Sequence, residues 1–193
     1  MKIRNAALLA AAALVVVGCG DVTTSSATAP SPAPVSEWEN VSAGTISAGD
    51  LIPAPEGEPI LSLTGLVSNT NRSDEITVDL ATLEQMPLVQ FEAFEPFEER
   101  NMAFEGVLMT DLMEIAGAGT GASELHITAL DDYEFTIPLE EIRGTKVLLA
   151  TKAEGEHMTV ADGGPTRIIF PPDSRLGQNP DAWVWSVETI VVR

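Results

Sequence analysis

Cysteine is nearly absent from this sequence, since Cys19 is the only one among 193 residues. A chain with one cysteine forms no internal disulfide and has no site that requires two thiolates. Basic residues are also scarce, with 10 lysines and arginines against 29 aspartates and glutamates. The net charge of −19 repels nucleic acid and anionic headgroups, and it opposes a polyanionic cofactor unless a basic pocket surrounds that cofactor. We therefore expect no nucleic-acid partner.

Common catalytic and metal-binding motifs are missing as well. The sequence has no serine–histidine–aspartate order of a hydrolase, no glycine-rich phosphate loop and no cysteine–histidine spacing for zinc. Its two histidines and six methionines are residue types that bind copper(I). However, no methionine–histidine pair recurs at a regular spacing, and methionine commonly fills protein cores. We predict no metal site.

The amino terminus has the layout of an export signal. Lys2 and Arg4 form a short basic start, and residues 6–17 are an unbroken run of alanine, leucine and valine. This run is short for a membrane span but has the length of the apolar part of a signal peptide. We therefore expect residues 1–18 to be a signal peptide. Without them, 8 basic residues remain against 29 acidic ones, a net charge of −21.

The only cysteine stands directly after the apolar run. Val16, Val17, Gly18 and Cys19 resemble a bacterial lipobox, whose cysteine receives lipid. The resemblance implies lipidation of Cys19, a location in the bacterial periplasm, and the membrane as a partner through the lipid. Because Gly20 rather than aspartate follows, it implies the outer membrane rather than the inner one. The alternative is an ordinary secretory signal with a chance cysteine.

Residues 19–56 are expected to form a disordered tether between the membrane and a folded domain. Residues 21–36 consist mainly of threonine, serine, alanine and proline, which bury too little surface to offset the entropy of ordering. Alternating prolines at 30–34 favour an extended spacer. Trp38 is the one aromatic residue in this segment, and it either docks on the domain or is exposed.

Residues 57–193 are expected to form one α+β domain. Short strand patterns dominate without regular strand–helix alternation, which predicts mixed or antiparallel sheets with a few short helices. Apolar residues at helical spacing predict a helix at 108–116, with oxygens of Thr110 or Asp111 near its start and Gly117 at its end. A charged loop is predicted at 95–101. The predicted strands are 60–67, 76–79, 88–94, 125–130, 133–138, 146–151, 167–170 and 183–192.

A series of short motifs occurs in an order that is typical of one protein family. The motifs are at 63–67 (Leu-Thr-Gly-Leu-Val), 104–108 (Phe-Glu-Gly-Val-Leu), 131–133 (Asp-Asp-Tyr), 137–141 (Ile-Pro-Leu-Glu-Glu), 147–150 (Val-Leu-Leu-Ala) and 163–169 (Gly-Gly-Pro-Thr-Arg-Ile-Ile). Over roughly residues 60–193 they resemble the oxidoreductase molybdopterin-binding domain, which implies the sulfite-oxidase-like fold. The Trp-Val-Trp run at 183–185 is similar to the ending of small bacterial periplasmic members.

The sequence departs from this family where the cofactor would be held. Members place a molybdenum-ligating cysteine between the strand at 88–94 and the following helix, but residues 90–103 contain none. Members also bind the pterin phosphate with basic residues before the last strand, but residues 179–185 contain no lysine or arginine. The family's histidine before the Gly-Pro turn is Asp162 here. A soft thiolate is not replaced by glutamate, and a phosphate needs cationic donors, so we expect no molybdopterin cofactor.

Five residues remain as candidates for a binding site. The resemblance aligns Tyr133 with a tyrosine that faces the substrate in sulfite-oxidising relatives, which makes it the one catalytic candidate; a half-buried strand tyrosine is the alternative. Its neighbour Asp132 is either a ligand-binding residue or a turn residue. We expect Arg167, in a buried strand, to pair with a carboxylate, with anion binding as the alternative. Trp183 and Trp185 share one face of the predicted last strand, as core residues or as a ligand or partner surface.

These observations predict a lipid-tethered periplasmic module with a molybdopterin-oxidoreductase-like fold that has lost its cofactor. Such a pseudoenzyme would bind a small ligand or an envelope protein. The first alternative is a genuine molybdopterin-dependent oxidoreductase that holds its cofactor through pterin contacts alone. The second alternative is a structural envelope lipoprotein.

Overall fold

A computed structural model describes residues 38–171 and 173–193, so the signal peptide, Cys19 and residues 20–37 of the tether lie outside the described residues. Eleven strands and three short α-helices are formed within the described part. The helices are α1 (Leu80–Leu83), α2 (Met109–Ile115) and α3 (Leu139–Gly144). The strands are β1 (Glu39–Ser42), β2 (Leu61–Gly65), β3 (Ile76–Val78), β4 (Leu88–Glu95), β5 (Arg100–Leu108), β6 (Glu124–Ala129), β7 (Glu134–Pro138), β8 (Leu148–Ala153), β9 (Glu156–His157), β10 (Arg167–Ile169) and β11 (Val187–Val192).

The strands form two sheets. The first has the order β1-β4-β5-β8-β10, with β9 added to β8, and every pair in it is antiparallel. The second has the order β3-β2-β11-β6-β7, in which β11 runs parallel to β2 and antiparallel to β6. Mixed and antiparallel sheets with a few short helices confirm the predicted α+β class.

The hairpin of β4 and β5 carries a glutamate into the core. Side chains alternate between the two faces of a strand, and Phe91, Ala93 and Glu95 are all buried at every second position of β4. Glu95 pairs with Arg100 across the hairpin, so the turn itself contains only residues 96–99. The predicted charged loop at 95–101 is therefore too long, because its first residue continues the buried face of the strand.

Helix α2 forms where the apolar spacing predicts it. Leu112 and Ile115 are buried, and Gly117 follows the helix in the left-handed conformation with φ of 64°. The prediction of a side-chain cap at its start is wrong, because the N-cap residue is Leu108 and no side chain bonds there. Strand β5 ends at Leu108 and runs directly into the helix, so the N-cap position holds an apolar side chain that accepts no hydrogen bond. None of the helices in the described part of the chain is long and apolar enough to cross a membrane.

Residues 38–56 belong to the folded domain, so the predicted tether is too long. Strand β1 pairs with β4, and Trp38 stacks on Phe91 with ring centroids 4.0 Å apart. Ile46 and Ile52 are buried in the core. A disordered tether over 19–56 is therefore wrong from residue 38 onward, while docking of Trp38 is confirmed. Composition misled here because the side chains of β1 are all exposed, and its backbone hydrogen bonds to β4 require no apolar pattern.

The last strand is shorter than predicted. Strand β11 begins at Val187 rather than at Trp183, because Ser186 has a φ of 49° that no extended strand accommodates. The N–H of Ser186 instead donates to the carbonyl of Gly163 at 2.7 Å. Trp183 and Trp185 consequently lie in an irregular segment before the strand, and the prediction that they share a strand face is wrong.

Candidate functional site

A cleft of about 390 Å³ opens where three distant segments of the chain meet. The β4–β5 turn contributes one side chain, the β6–β7 turn contributes two, and the segment before β11 contributes the others. This volume suits a small molecule. The lining residues are Phe97, Asp131, Tyr133, Pro180, Asp181, Trp183, Val184 and Trp185.

Tyr133 is held in the wall of the cleft by two hydrogen bonds. Its backbone N–H donates to Oδ1 of Asp131 at 3.1 Å, which closes the β6–β7 turn. Its hydroxyl donates to the backbone carbonyl of Asp181 at 3.0 Å. Burial raises the pKa of the Tyr133 hydroxyl, and the negative charge of Asp181 raises it further. Tyr133 therefore keeps its proton near neutral pH and acts as a donor rather than as a base.

The two tryptophans of the cleft differ in their packing. Trp183 is 2% exposed, and its Nε1 donates to the carbonyl of Gly177 at 3.2 Å, so it is chiefly a core residue. Trp185 is partly exposed and meets the ring of Phe97 edge-on, with centroids 5.3 Å apart. A Cβ on Gly163 would lie 2.8 Å from Cδ2 of Trp185. Only glycine at this position allows the indole to pack against the turn.

Arg167 and Glu95 form a buried ion pair beside the cleft. Their side chains are 3% and 0% exposed, and Nη2 of Arg167 donates to Oε1 of Glu95. Burial lowers the pKa of Arg167, whereas the charge of Glu95 opposes this shift. The predicted pairing of Arg167 with a carboxylate is confirmed.

The same ion pair connects the core to the walls of the cleft. Oε2 of Glu95 accepts the backbone N–H of Phe97 at 2.8 Å and that of Glu98, which fixes the turn that carries Phe97. The guanidinium carbon of Arg167 lies 4.2 Å from the ring centroid of Trp185. Two aromatic walls of the cleft thus depend on one buried carboxylate and its partner.

The structure brings together only part of the predicted site. Tyr133, Trp183 and Trp185 line the cleft, whereas Arg167 supports it without lining it. Asp132 is exposed, has a φ of 65° and does not line the cleft, so among its two predicted roles the geometry matches the turn residue. Sequence reasoning missed Phe97 as a wall residue, although a large apolar side chain inside a charged run was a usable signal.

The family of the protein follows from a match over most of the folded domain. A model of the oxidoreductase molybdopterin binding domain matches residues 69–188. The chain belongs to this family. The predicted sulfite-oxidase-like fold of the oxidoreductase molybdopterin binding domain is thereby confirmed, in agreement with the two sheets described above.

One solved structure with this fold is the sulfane dehydrogenase SoxCD from Paracoccus pantotrophus. The two structures align with a TM-score of 0.54 and 20% sequence identity, over 68% of this chain. The alignment spans only 37% of the SoxCD chain, so the likeness concerns the fold of one domain. A search of curated proteins finds no match.

The residues at the cleft do not fit the molybdenum cofactor that the family name implies. Among the residues that the structure describes, the lining contains two carboxylates and no cysteine, histidine, lysine or arginine. Nε of Arg167 and Nε1 of Trp185 are buried donors without a partner in the described part of the chain, but Nη2 of Arg167 is taken by Glu95. Within residues 38–171 and 173–193, no group of three histidine, cysteine, aspartate or glutamate side chains could hold a metal ion. This donor set offers neither a soft metal ligand nor a free cation for a phosphate.

Proposed function

We propose that this member of the oxidoreductase molybdopterin binding domain family is a cofactor-free binding module of the bacterial envelope. The observation that carries the proposal is the buried pair of Glu95 and Arg167. Glu95 puts a carboxylate in the interval where the family resemblance implies a cysteine, and the charge of Arg167 is used internally by this pair.

Metal chemistry supports the loss of the cofactor. A thiolate is a soft ligand, whereas a carboxylate is a hard ligand that suits magnesium, calcium or manganese. The carboxylate of Glu95 already accepts hydrogen bonds from Arg167, Phe97 and Glu98. It has little capacity left for a metal ion, because each carboxylate oxygen offers only two acceptor sites.

Electrostatics support the same conclusion. A pterin phosphate needs cationic donors, and the acidic residues of the cleft wall, Asp131 and Asp181, supply the opposite charge. Each charge-assisted hydrogen bond that is missing weakens binding by about 1.5–3 kcal/mol. The loss of several such bonds together with the metal–sulfur bond leaves too little affinity to retain the cofactor.

The state of the polar groups in the cleft supports the proposed binding role without catalysis. The raised pKa of Tyr133 keeps its hydroxyl protonated, and that hydroxyl already donates to the carbonyl of Asp181. Oδ1 of Asp131 accepts the backbone N–H of Tyr133. What remains accessible in the walls is aromatic surface and carboxylate oxygen, which can hold a ligand.

The test is a metal and pterin analysis of the protein expressed in a host that makes the molybdenum cofactor. We expect far less than one molybdenum per chain by mass spectrometry and no pterin fluorescence after oxidation. The matched variant is Glu95→Cys, which restores a thiolate but not the phosphate site, and we expect it to remain free of molybdenum.

The second candidate is a molybdopterin-dependent oxidoreductase that holds the cofactor by pterin contacts alone. The family match over residues 69–188 is the observation that favours it. Near-stoichiometric molybdenum in the unaltered protein would establish this candidate and overturn the cofactor-free proposal.

The proposed location rests on Cys19. Lipidation there would tether the domain to the periplasmic face of the outer membrane, through the 18 residues between Cys19 and Trp38, the first residue that the structure describes. Two or more acyl chains give stable anchoring, at about 0.8 kcal/mol per buried CH₂. We expect Cys19→Ser to move the protein from the membrane fraction to the soluble periplasmic fraction while its circular dichroism spectrum stays unchanged. Membrane fractionation of this variant at the level of the unaltered protein would refute the lipid anchor.

A further inference from the structure

The walls of the cleft combine exposed aromatic rings with carboxylates. Phe97 and Tyr133 are 56% and 41% exposed, although both are large aromatic side chains. Trp185 is partly exposed. Asp131 and Asp181 complete the wall, and both are exposed. The face of an aromatic ring carries partial negative charge, so rings and carboxylates attract the same kind of ligand, a cation.

Within the described part of the chain, no positively charged side chain lines the cleft to oppose such a ligand. The guanidinium of Arg167 lies against Trp185, but its charge is paired with Glu95. The negative charge of Asp181 adds to burial in raising the pKa of Tyr133, and this contribution of Asp181 corresponds to a negative potential at the wall. The net charge of −19 acts in the same direction over longer distances and would draw a cation toward the protein.

Hydrogen bonding narrows the class of cation. The hydroxyl of Tyr133 donates to the carbonyl of Asp181, and Nε1 of Trp183 donates to that of Gly177. With these donors satisfied internally and Nε1 of Trp185 buried, the walls offer a ligand ring surface and carboxylate oxygens rather than hydrogen-bond donors. A quaternary ammonium group is weakly hydrated and needs no hydrogen-bond partner, so ring contacts and the charge of the wall carboxylates can hold it.

We propose that the cleft binds a small quaternary ammonium compound, held between the rings of Phe97, Tyr133 and Trp185 and the carboxylates of Asp131 and Asp181. The volume of about 390 Å³ accommodates a molecule of this size. This inference deepens the proposed function, because it names the ligand class of the same cleft and rests on that cleft being a binding site.

The first test compares choline with its uncharged isostere 3,3-dimethylbutan-1-ol, which has the same shape. Both are titrated into the full-length mature protein in a non-ionic detergent at constant ionic strength, by calorimetry and by tryptophan fluorescence. We expect saturable binding of choline and at least about tenfold weaker binding of the alcohol, because a desolvated cation gains about that factor from aromatic faces. Equal affinities of the two compounds, or no binding of choline, would overturn the cation proposal.

The second test uses matched variants. Asp131→Asn removes a wall charge while its Oδ1 still accepts the N–H of Tyr133, and we expect several-fold weaker choline binding. Asp132→Asn removes the same charge one residue away, outside the cleft, and we expect unchanged affinity. Phe97→Leu keeps apolar volume but removes the ring and should weaken binding, whereas Phe97→Tyr should restore it. If the two aspartate variants weakened choline binding equally, the binding would reflect general charge attraction, and the proposed cleft site would be refuted.

Failure of this inference is distinguishable from failure of the proposed function. Tight binding of the alcohol or of sulfate in the cleft would refute the cation class but leave a cofactor-free binding module. Stoichiometric molybdenum would refute the proposed function whatever choline does.

Discussion

The carboxylate of Glu95 accepts three hydrogen bonds, one from Arg167 and two from the backbone N–H groups of Phe97 and Glu98. A fully buried charge is tolerated only when it is paired and hydrogen-bonded. Arg167 also contacts the ring of Trp185, so a single residue pair supports both the hairpin turn and one wall of the cleft.

We predict that removing one charge of this residue pair destabilises the protein. Glu95→Gln leaves the guanidinium of Arg167 buried without a counter-charge, and we expect a loss of about 3–5 kcal/mol in the free energy of unfolding. The measurement is guanidinium chloride denaturation followed by circular dichroism. The control is Glu141→Gln at the pair with Arg175, whose side chain is 67% exposed. There we expect at most about 1 kcal/mol.

A double variant distinguishes the effect of the unpaired charge from the effect of lost side-chain packing. Glu95→Leu combined with Arg167→Met replaces the pair by apolar side chains, and we expect it to recover most of the stability lost in Glu95→Gln, because apolar replacement of a buried pair is often neutral. A Glu95→Gln variant as stable as the unaltered protein would contradict the assigned role.

Among the elements, α1 depends on a single capping residue. A helix of four residues has no stability of its own, because nucleation is costly. Asp79 caps it by accepting the N–H of Thr82 at 2.8 Å, and the same carboxylate accepts the N–H of Gly57 at 2.7 Å. Hydrogen bonds lower the pKa of Asp79 from 3.8 to about 2, and the largest contribution comes from Thr82, followed by Gly57. The carboxylate thus joins the helix to the segment that precedes β2.

We predict that Asp79→Ala destabilises the protein. Loss of the cap should lower the free energy of unfolding by about 1–2 kcal/mol near neutral pH. Because the folded-state pKa lies below the unfolded value, the contribution of the charge is complete above about pH 4 and is lost as the pH falls toward about 2. Urea denaturation at a series of pH values should therefore show the two proteins converging in this window. A difference that stays constant down to pH 2 would contradict the assigned hydrogen bonds.

Over the whole molecule, acidic residues outnumber the partners available to them. Several ion pairs occur in the described part, such as Lys152 with Glu105 at 2.8 Å and with Glu84 at 3.6 Å. Yet the chain has only 10 lysines and arginines for 29 acidic residues, which leaves a net charge of −19. Repulsion among like charges destabilises a compact state, and salt screens it within about 10 Å at 0.1 M.

We accordingly predict that the melting temperature rises with sodium chloride between about 0.01 and 0.3 M, since the screening length falls from about 30 Å to below 10 Å over this range. Calorimetry or thermal circular dichroism measures it, and potassium chloride at equal ionic strength is the control for specific ion binding. A flat or falling curve would mean that the lost attraction of the paired charges outweighs the relieved repulsion.

Local patterns in the sequence predicted helix α2, its end at Gly117 and eight of the strands, which are β2, β3, β4, β6, β7, β8, β10 and β11, but not β1, β5 or β9. Alternation with a period of two and apolar spacing near 3.6 are properties of neighbouring residues, so they are readable without the fold. The family resemblance and the absence of a thiolate between residues 90 and 103 are likewise visible in the chain alone. Tyr133, Trp183 and Trp185 could be named as candidates for the same reason.

Only the tertiary structure decided which residues make the site. Glu95 meets Arg167 across 72 residues of chain, and Tyr133 meets Asp181 across 48, because the order of strands in the two sheets brings their turns together. The alternation in β4 continues one residue beyond its apolar part, so a glutamate that reads as a loop residue becomes a core residue. Strand β1 joins the domain through backbone hydrogen bonds, which leave no trace in side-chain composition. Pairings of this kind depend on the free energy of the whole fold, and no window of sequence contains both partners.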